Sequence, residues 1–138
     1  MSNIKIFYRI ISLIFIAFLT PQIIFAECLK GNCVNGYGVE KKLFTEIAED
    51  AYSIYSGTFK DGIPHGKGKL ISPYGDIYIG EFKDGMPDGP GTLESSDGNV
   101  YIGEFQNGLP HGKGKMKWWD GRTADVIMKY GVIVRIED

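Results

Sequence analysis

The feature that most constrains this chain is a repeat with a period of 23 residues. Set out from Tyr55, the first row is YSGTFKDGIPHGKGKLISPYGDI, the second YIGEFKDGMPDGPGTLESSDGNV and the third YIGEFQNGLPHGKGKMKWWDGRT. Tyr55, Tyr78 and Tyr101 align without gaps, as do Gly57, Gly80 and Gly103, and then Phe59, Phe82 and Phe105. Gly66, Gly89 and Gly112 follow in the same frame. Gapless recurrence over three rows means one structural unit used three times.

Each row reads as a β-hairpin. In YIGEF the period-two alternation puts Tyr78, Gly80 and Phe82 on one face and Ile79 and Glu81 on the other. GPGTLES alternates likewise, and KDG, QNG, YGD, DGN and DGR mark the turns, because Asp-Gly and Asn-Gly tolerate positive φ. The expected fold is all-β, an elongated, twisted, single antiparallel sheet of tandem 23-residue hairpins. Two strands per row at ~4.8 Å give a rise of ~10 Å per repeat. Glycine ordinarily weakens a strand. Here its missing side chain is expected to leave a slot for a neighbouring Tyr or Phe ring, supplying the burial that a thin sheet lacks.

The pattern Y-x-G-x-F-x-x-G-x-x-H-G-x-G at this period resembles the MORN (membrane occupation and recognition nexus) repeat, closely over residues 55–123 and loosely over 28–38 and 124–138. One departure is Asp88, which stands where the pattern has His. The resemblance implies a scaffold or binding module that dimerises or takes peptides along the array, and also the lipid-binding role once proposed for the family. The rows 55–77, 78–100 and 101–123 are then flanked by degenerate caps, 27–54 and 124–138, as a stacked array with unpartnered end faces needs. Within the first cap, GNCVNGYG aligns with GIPHGKG given one extra residue. Residues 39–54 carry apolar positions at helical spacing, yet the cap lacks a hairpin partner there. A short helix and a strand followed by a long turn both remain open, the missing partner favouring the strand.

Residues 1–26 have the layout of a secretory signal peptide: Lys5 and Arg9, an apolar run from Ile10 to Leu19, and the small residue Ala26 at the expected cleavage point. Retention as a membrane anchor is the alternative, although the run is short for a span of ~20 residues. Glu27 before Cys28 does not suit lipidation. Export to a periplasm or beyond the cell is expected, with membrane association if the segment is retained. Without Lys5 and Arg9, 13 basic residues face 17 acidic ones, a net charge of −4. That balance argues against a nucleic-acid partner. Cys28 and Cys33, the only cysteines, are expected to form a local disulfide in an oxidising compartment.

Candidate sites follow from the pattern. HGKGK at 65–69 and 111–115 fails as a phosphate loop: Gly62 and Gly66 are too close, and Gly68 follows Lys67 where Ser or Thr is required. His65 and His111 stand two repeats apart, ~20 Å, so they share no metal; each is expected to hydrogen-bond its own turn. A repeat spreads like groups along a line, whereas catalysis needs unlike groups converging. No enzyme, cofactor or metal is expected.

Lys67, Lys69, Lys113, Lys115 and Lys117 form a stripe able to meet anionic phospholipid headgroups, unless Glu81 and Glu104 on that face pair with them across strands. Tyr55, Phe59, Tyr78, Phe82, Tyr101, Phe105 and Trp118 form the other candidate, an aromatic face for an envelope protein. That face offers a groove only if glycine packing leaves the rings partly open. The apolar, β-branched terminal strand VIMKYGVIVRI offers an edge through which a homodimer would pair.

Overall fold

The computed structural model describes residues 25–44, 48 and 50–137. Ten strands form one sheet in sequence order, each antiparallel to the next. They are β1 (Phe25–Gly31), β2 (Gly36–Leu43), β3 (Tyr52–Lys60), β4 (Ile63–Ile71) and β5 (Ile77–Lys83), then β6 (Met86–Glu94), β7 (Val100–Gln106), β8 (Leu109–Lys117), β9 (Thr123–Lys129) and β10 (Val132–Glu137). The three full repeats are the hairpins β3–β4, β5–β6 and β7–β8, and each cap is itself a hairpin, β1–β2 and β9–β10.

The helix considered for residues 39–54 is replaced by strand: β2 runs to Leu43 and β3 begins at Tyr52, paired with it. The missing hairpin partner decided this, since Glu40 pairs with Tyr55 and Gly38 with Gly57. Residues 45–47 and 49 lie outside the described residues, as does the N-terminal segment up to residue 24. The expected cleavage point after Ala26 falls within β1. Cys28 on β1 and Cys33 in the β1–β2 turn are joined by a disulfide, their Cα atoms 5.9 Å apart.

The hairpin turns use the residues the sequence supplied. Asp61 and Gly62 have φ of 52° and 75°, Asp84 and Gly85 51° and 87°, Asn107 and Gly108 50° and 85°. Two consecutive positive φ values match the right-handed twist of the flanking strands. Each hairpin also carries a bulge. Between the pairs Gly57–Gly68 and Phe59–Pro64, Thr58 alone faces His65, Gly66 and Lys67, with Gly66 at φ 78°. The same irregularity recurs in β5–β6 and β7–β8. Proline is tolerated at Pro64, Pro87 and Pro110 because each adjoins the bulge, where a ladder donor is dispensable.

The core lies on the aromatic face. A row of directly paired residues crosses the sheet as Glu40, Tyr55, Leu70, Tyr78, Leu93, Tyr101, Met116 and Ala124. Next to it runs a row of glycines, Gly38, Gly57, Gly68, Gly80, Gly91, Gly103 and Gly114. A Cβ built on Gly57 or Gly68 would stand 2.5 Å from the Tyr55 side chain, and the Tyr78 and Tyr101 rings occupy the same place over their own glycine pairs. The six rings then meet edge to face, as in Tyr55–Phe59 (5.0 Å, 89°) and Tyr55–Phe82 (4.8 Å, 77°), the second contact linking one repeat to the next. Such contacts favour the ring quadrupoles beyond simple area burial. Leu70, Leu93 and Met116 pack against this core.

Candidate binding groove

The tyrosine hydroxyls are spent on the backbone. Tyr55 donates to the Thr58 carbonyl at 2.9 Å, Tyr78 to Glu81 at 2.9 Å and Tyr101 to Glu104 at 3.2 Å. Burial pushes the Tyr55 and Tyr78 hydroxyls up to about 12 and raises Tyr101, because the phenolate would lose its water. Tyr55, Phe59, Tyr78, Phe82, Tyr101 and Phe105 are only 3% to 5% exposed. The expectation that these rings themselves offer a partly open contact surface is therefore corrected: glycine packing consumes them. Trp118, the seventh residue of that set, lies just past β8 in the turn to β9. There its N–H donates to the Arg122 carbonyl and the Arg122 guanidinium sits 5.7 Å from its ring.

The rings nevertheless form a floor. A cavity of about 220 Å³ is lined by Glu40, Lys42, Ser53, Tyr55, Leu70 and Phe82, among others. A second of about 270 Å³ is lined by Leu70, Ser72, Asp76, Tyr78, Leu93 and Phe105, among others. The two sets correspond position by position, one repeat apart. Tyr55 becomes Tyr78, Leu70 becomes Leu93 and Phe82 becomes Phe105, while Glu40 is replaced by Leu70 and Ser53 by Asp76. Pro64 and Gly85 of the first cavity likewise become Pro87 and Gly108 of the second. The aromatic face thus carries a furrow with two pockets one repeat apart, floored by rings, walled by Leu and Pro and rimmed by polar residues. Trp118 stands at the rim position that Ser72 holds two repeats earlier.

The histidines serve the array, though not as expected. His111 Nδ1 accepts the N–H of Tyr130 at 3.4 Å, and its ring lies 4.8 Å from the Tyr130 ring. Tyr130 belongs to the next hairpin's turn, so the expectation that each histidine bonds its own turn is corrected. Asp88 Oδ2 accepts the N–H of Asn107 at 3.3 Å, and Asn35 Oδ1 that of Asp61 at 3.0 Å. Asp88 departs from the repeat pattern but supplies the same acceptor. His65 Nδ1 lies 3.9 Å from the Asp84 carboxylate, again in the following turn. A further link runs from the N–H groups of the turn glycines Gly85, Gly108 and Gly131 to the carbonyls of Pro64, Pro87 and Pro110 in the hairpin before, as from Gly85 to Pro64 at 2.9 Å, and from Gly62 to that of Val34.

The opposite face is open. Lys67, Lys69, Lys113, Lys115 and Lys117 are exposed there beside exposed Ile79 and Ile102. A shallow groove of about 580 Å³ is bounded by Tyr37, Ser56, Lys67, Lys69, Ile79 and Pro90. Lys67 faces Glu81 in register, yet among the described residues the only stripe lysine in an ion pair is Lys115, 3.5 Å from Asp125. Among the described residues no group of three or more His, Cys, Asp or Glu is arranged to hold a metal ion.

Glu40, Lys42, Leu70, Leu93, Ser72 and Asp76 were not singled out from sequence. The signal for the Leu column was present, since Leu70 and Leu93 recur at the repeat period. The alignment of GNCVNGYG with GIPHGKG already placed Glu40 in that column.

Hairpins of one pattern stacked through equivalent turn contacts define a tandem β-hairpin repeat protein. The MORN repeat family matches residues 55–77, 78–100 and 101–121, and the chain is a MORN-repeat protein. MORN repeats are non-catalytic modules associated with binding and scaffold roles. Comparison with curated proteins finds none that matches.

Proposed function

We propose that this chain is an exported, non-enzymatic binding module that receives an extended segment of an envelope protein along the furrow of its aromatic face. The observation that supports this is the repetition of one pocket at the repeat spacing. Pockets that recur along a line suit a ligand that is itself linear, and the side chains on one face of it that enter them give specificity. A photo-crosslinking residue placed at Leu93, in the furrow, or at Ile79, on the opposite face, tests it in envelope extract. Crosslinks to a defined protein from position 93 alone support the reading. Crosslinks from position 79 alone overturn it.

A second reading rests on the exposed lysines of the open face, of which only Lys115 is ion-paired among the described residues. Each lysine near an anionic bilayer contributes ~1 kcal/mol. Binding to phosphatidylserine vesicles that fades with salt, and disappears when Lys113, Lys115 and Lys117 become Glu, would favour it. Self-association belongs to the first reading. The β10 edge carries exposed Val132, Val134 and Ile136, and a concentration-dependent dimer in sedimentation that is lost in Val134→Pro would place the contact there.

A further inference from the structure

The first pocket differs from the second in one respect that packing does not explain. Glu40 occupies the column that holds Leu70, Leu93 and Met116 in the full repeats. It is only 9% exposed, and its Oε2 is buried with no hydrogen-bond partner. Lys42 Nζ lies 3.1 Å from that oxygen, close enough to balance charge but not aligned to donate, and its side chain is 27% exposed. Ser53, 7% exposed and opposite Lys42 in register, adds a hydroxyl to the same wall. The second pocket also contains a carboxylate, Asp76, but both of its oxygens are engaged. Oδ1 accepts the Ser96 N–H at 2.9 Å and Oδ2 the Ser72 hydroxyl at 3.3 Å. Only the Glu40 pocket holds a buried carboxylate oxygen that an ion pair balances and no hydrogen bond satisfies.

On the reading that the furrow takes an extended segment, we infer that the Glu40 pocket receives a lysine or arginine of that segment and so sets its register. A buried carboxylate oxygen paired in charge with Lys42 but short of a hydrogen bond gains from an aligned donor, and an alkyl-ammonium or guanidinium supplies one as a charge-assisted hydrogen bond. The methylene stem of such a side chain suits the remaining wall of Tyr55, Leu70 and Phe82. Lys42 yields its place by turning outward into water. The neighbouring pocket, floored by Tyr78 and Phe105 and walled by Leu93, takes an apolar side chain. Adjacent pockets are ~10 Å apart, and a segment in the extended polyproline-II form rises ~3.1 Å per residue with three residues per turn, so two anchors on one face stand three residues apart.

The test uses fluorescently labelled synthetic peptides of one sequence, with leucine three residues to either side of a central lysine, leucine or glutamate. Anisotropy is read against the chain from residue 27 onward and its Glu40→Leu and Glu40→Gln variants. The parent should bind the lysine peptide at least about tenfold more tightly than the leucine peptide, and reject glutamate. Glu40→Leu, which restores the residue of the other repeats, should reverse that ranking while keeping or raising the melting temperature. Glu40→Gln should abolish the preference. Equal binding of lysine and leucine peptides by the parent would overturn the inference and leave the furrow standing. A Glu40→Leu variant that melts lower with its ranking unchanged would make Glu40 and Lys42 an internal ion pair of the cap and nothing more. Binding of none of the peptides would remove the furrow reading as well.

Discussion

Each core tyrosine answers two demands at once. Its ring fills the slot left by a glycine pair, and its hydroxyl reaches the backbone carbonyl of the residue at the bulge. For Tyr78 the first demand dominates: losing the ring would open a cavity at 3% exposure and cost ~3–5 kcal/mol. Losing only the hydroxyl bond to Glu81 would cost ~1 kcal/mol. Denaturant melts of Tyr78→Ala and Tyr78→Phe should separate by that margin, and a Tyr78→Ala variant is unsuited to binding experiments for the same reason. The hydroxyls also set an alkaline limit. Their folded-state value near 12 for Tyr55 and Tyr78 exceeds the ordinary 10.0, so the stability they contribute is full below pH 10. It is lost as pH rises toward 12, when the unfolded chain releases protons the fold retains. Absorbance of phenolate and loss of strand circular dichroism should therefore rise together in that window. Ionisation completed by pH 10 without loss of structure would contradict the burial.

At the scale of the hairpin, the device that stacks repeats is an acceptor reaching forward to the next turn. Asn35, Asp88 and His111 are three different residues that satisfy the N–H of a residue at positive φ one hairpin on. Chemistry matters here only as an acceptor of suitable reach. Asp88→Asn should change stability by less than ~0.5 kcal/mol, whereas Asp88→Ala or His111→Ala should cost ~1 kcal/mol each by stranding the turn N–H. Chemical denaturation of the three variants tests this; equal losses for Asp88→Asn and Asp88→Ala would mean that charge, not acceptance, is what the site needs. The hairpins themselves were legible in sequence because Tyr78, Gly80 and Phe82 recur with period two inside a period of 23 residues. The forward reach of His111 was not, since a one-dimensional frame shows that a residue recurs but not which neighbour it meets. The furrow was half legible. The aromatic column was plain, but whether its rings stay open depends on how tightly the tyrosines seat over Gly57, Gly80 and Gly103, which spacing alone does not report. The alignment of the degenerate cap placed Glu40 in the Leu70 column, but not that its carboxylate would be buried there.

For the whole molecule, the decisive property is that the sheet is one-dimensional. Strands are ordered β1 to β10, and each packs on its sequence neighbours. Stability in such an array is a sum of local units and nearest-neighbour contacts, so a perturbation at one end decays along it. The disulfide provides the test. Cys28 and Cys33 close a loop with a sequence separation of 5 at the first hairpin, and the chain-entropy estimate for so short a loop is ~2 kcal/mol. In a globular fold with a common core that loss would lower protection throughout. Here reduction should raise amide exchange in β1 and β2, less in β3, and leave β7 and β8 unchanged. The Glu40 pocket, built from β2 and β3 and closed by β4 and Phe82 of β5, begins within the affected end, while the Tyr78 pocket lies a repeat beyond it. Hydrogen exchange before and after reduction distinguishes the cases, and a uniform loss of protection from β1 to β10 would show that the array melts as one cooperative unit instead.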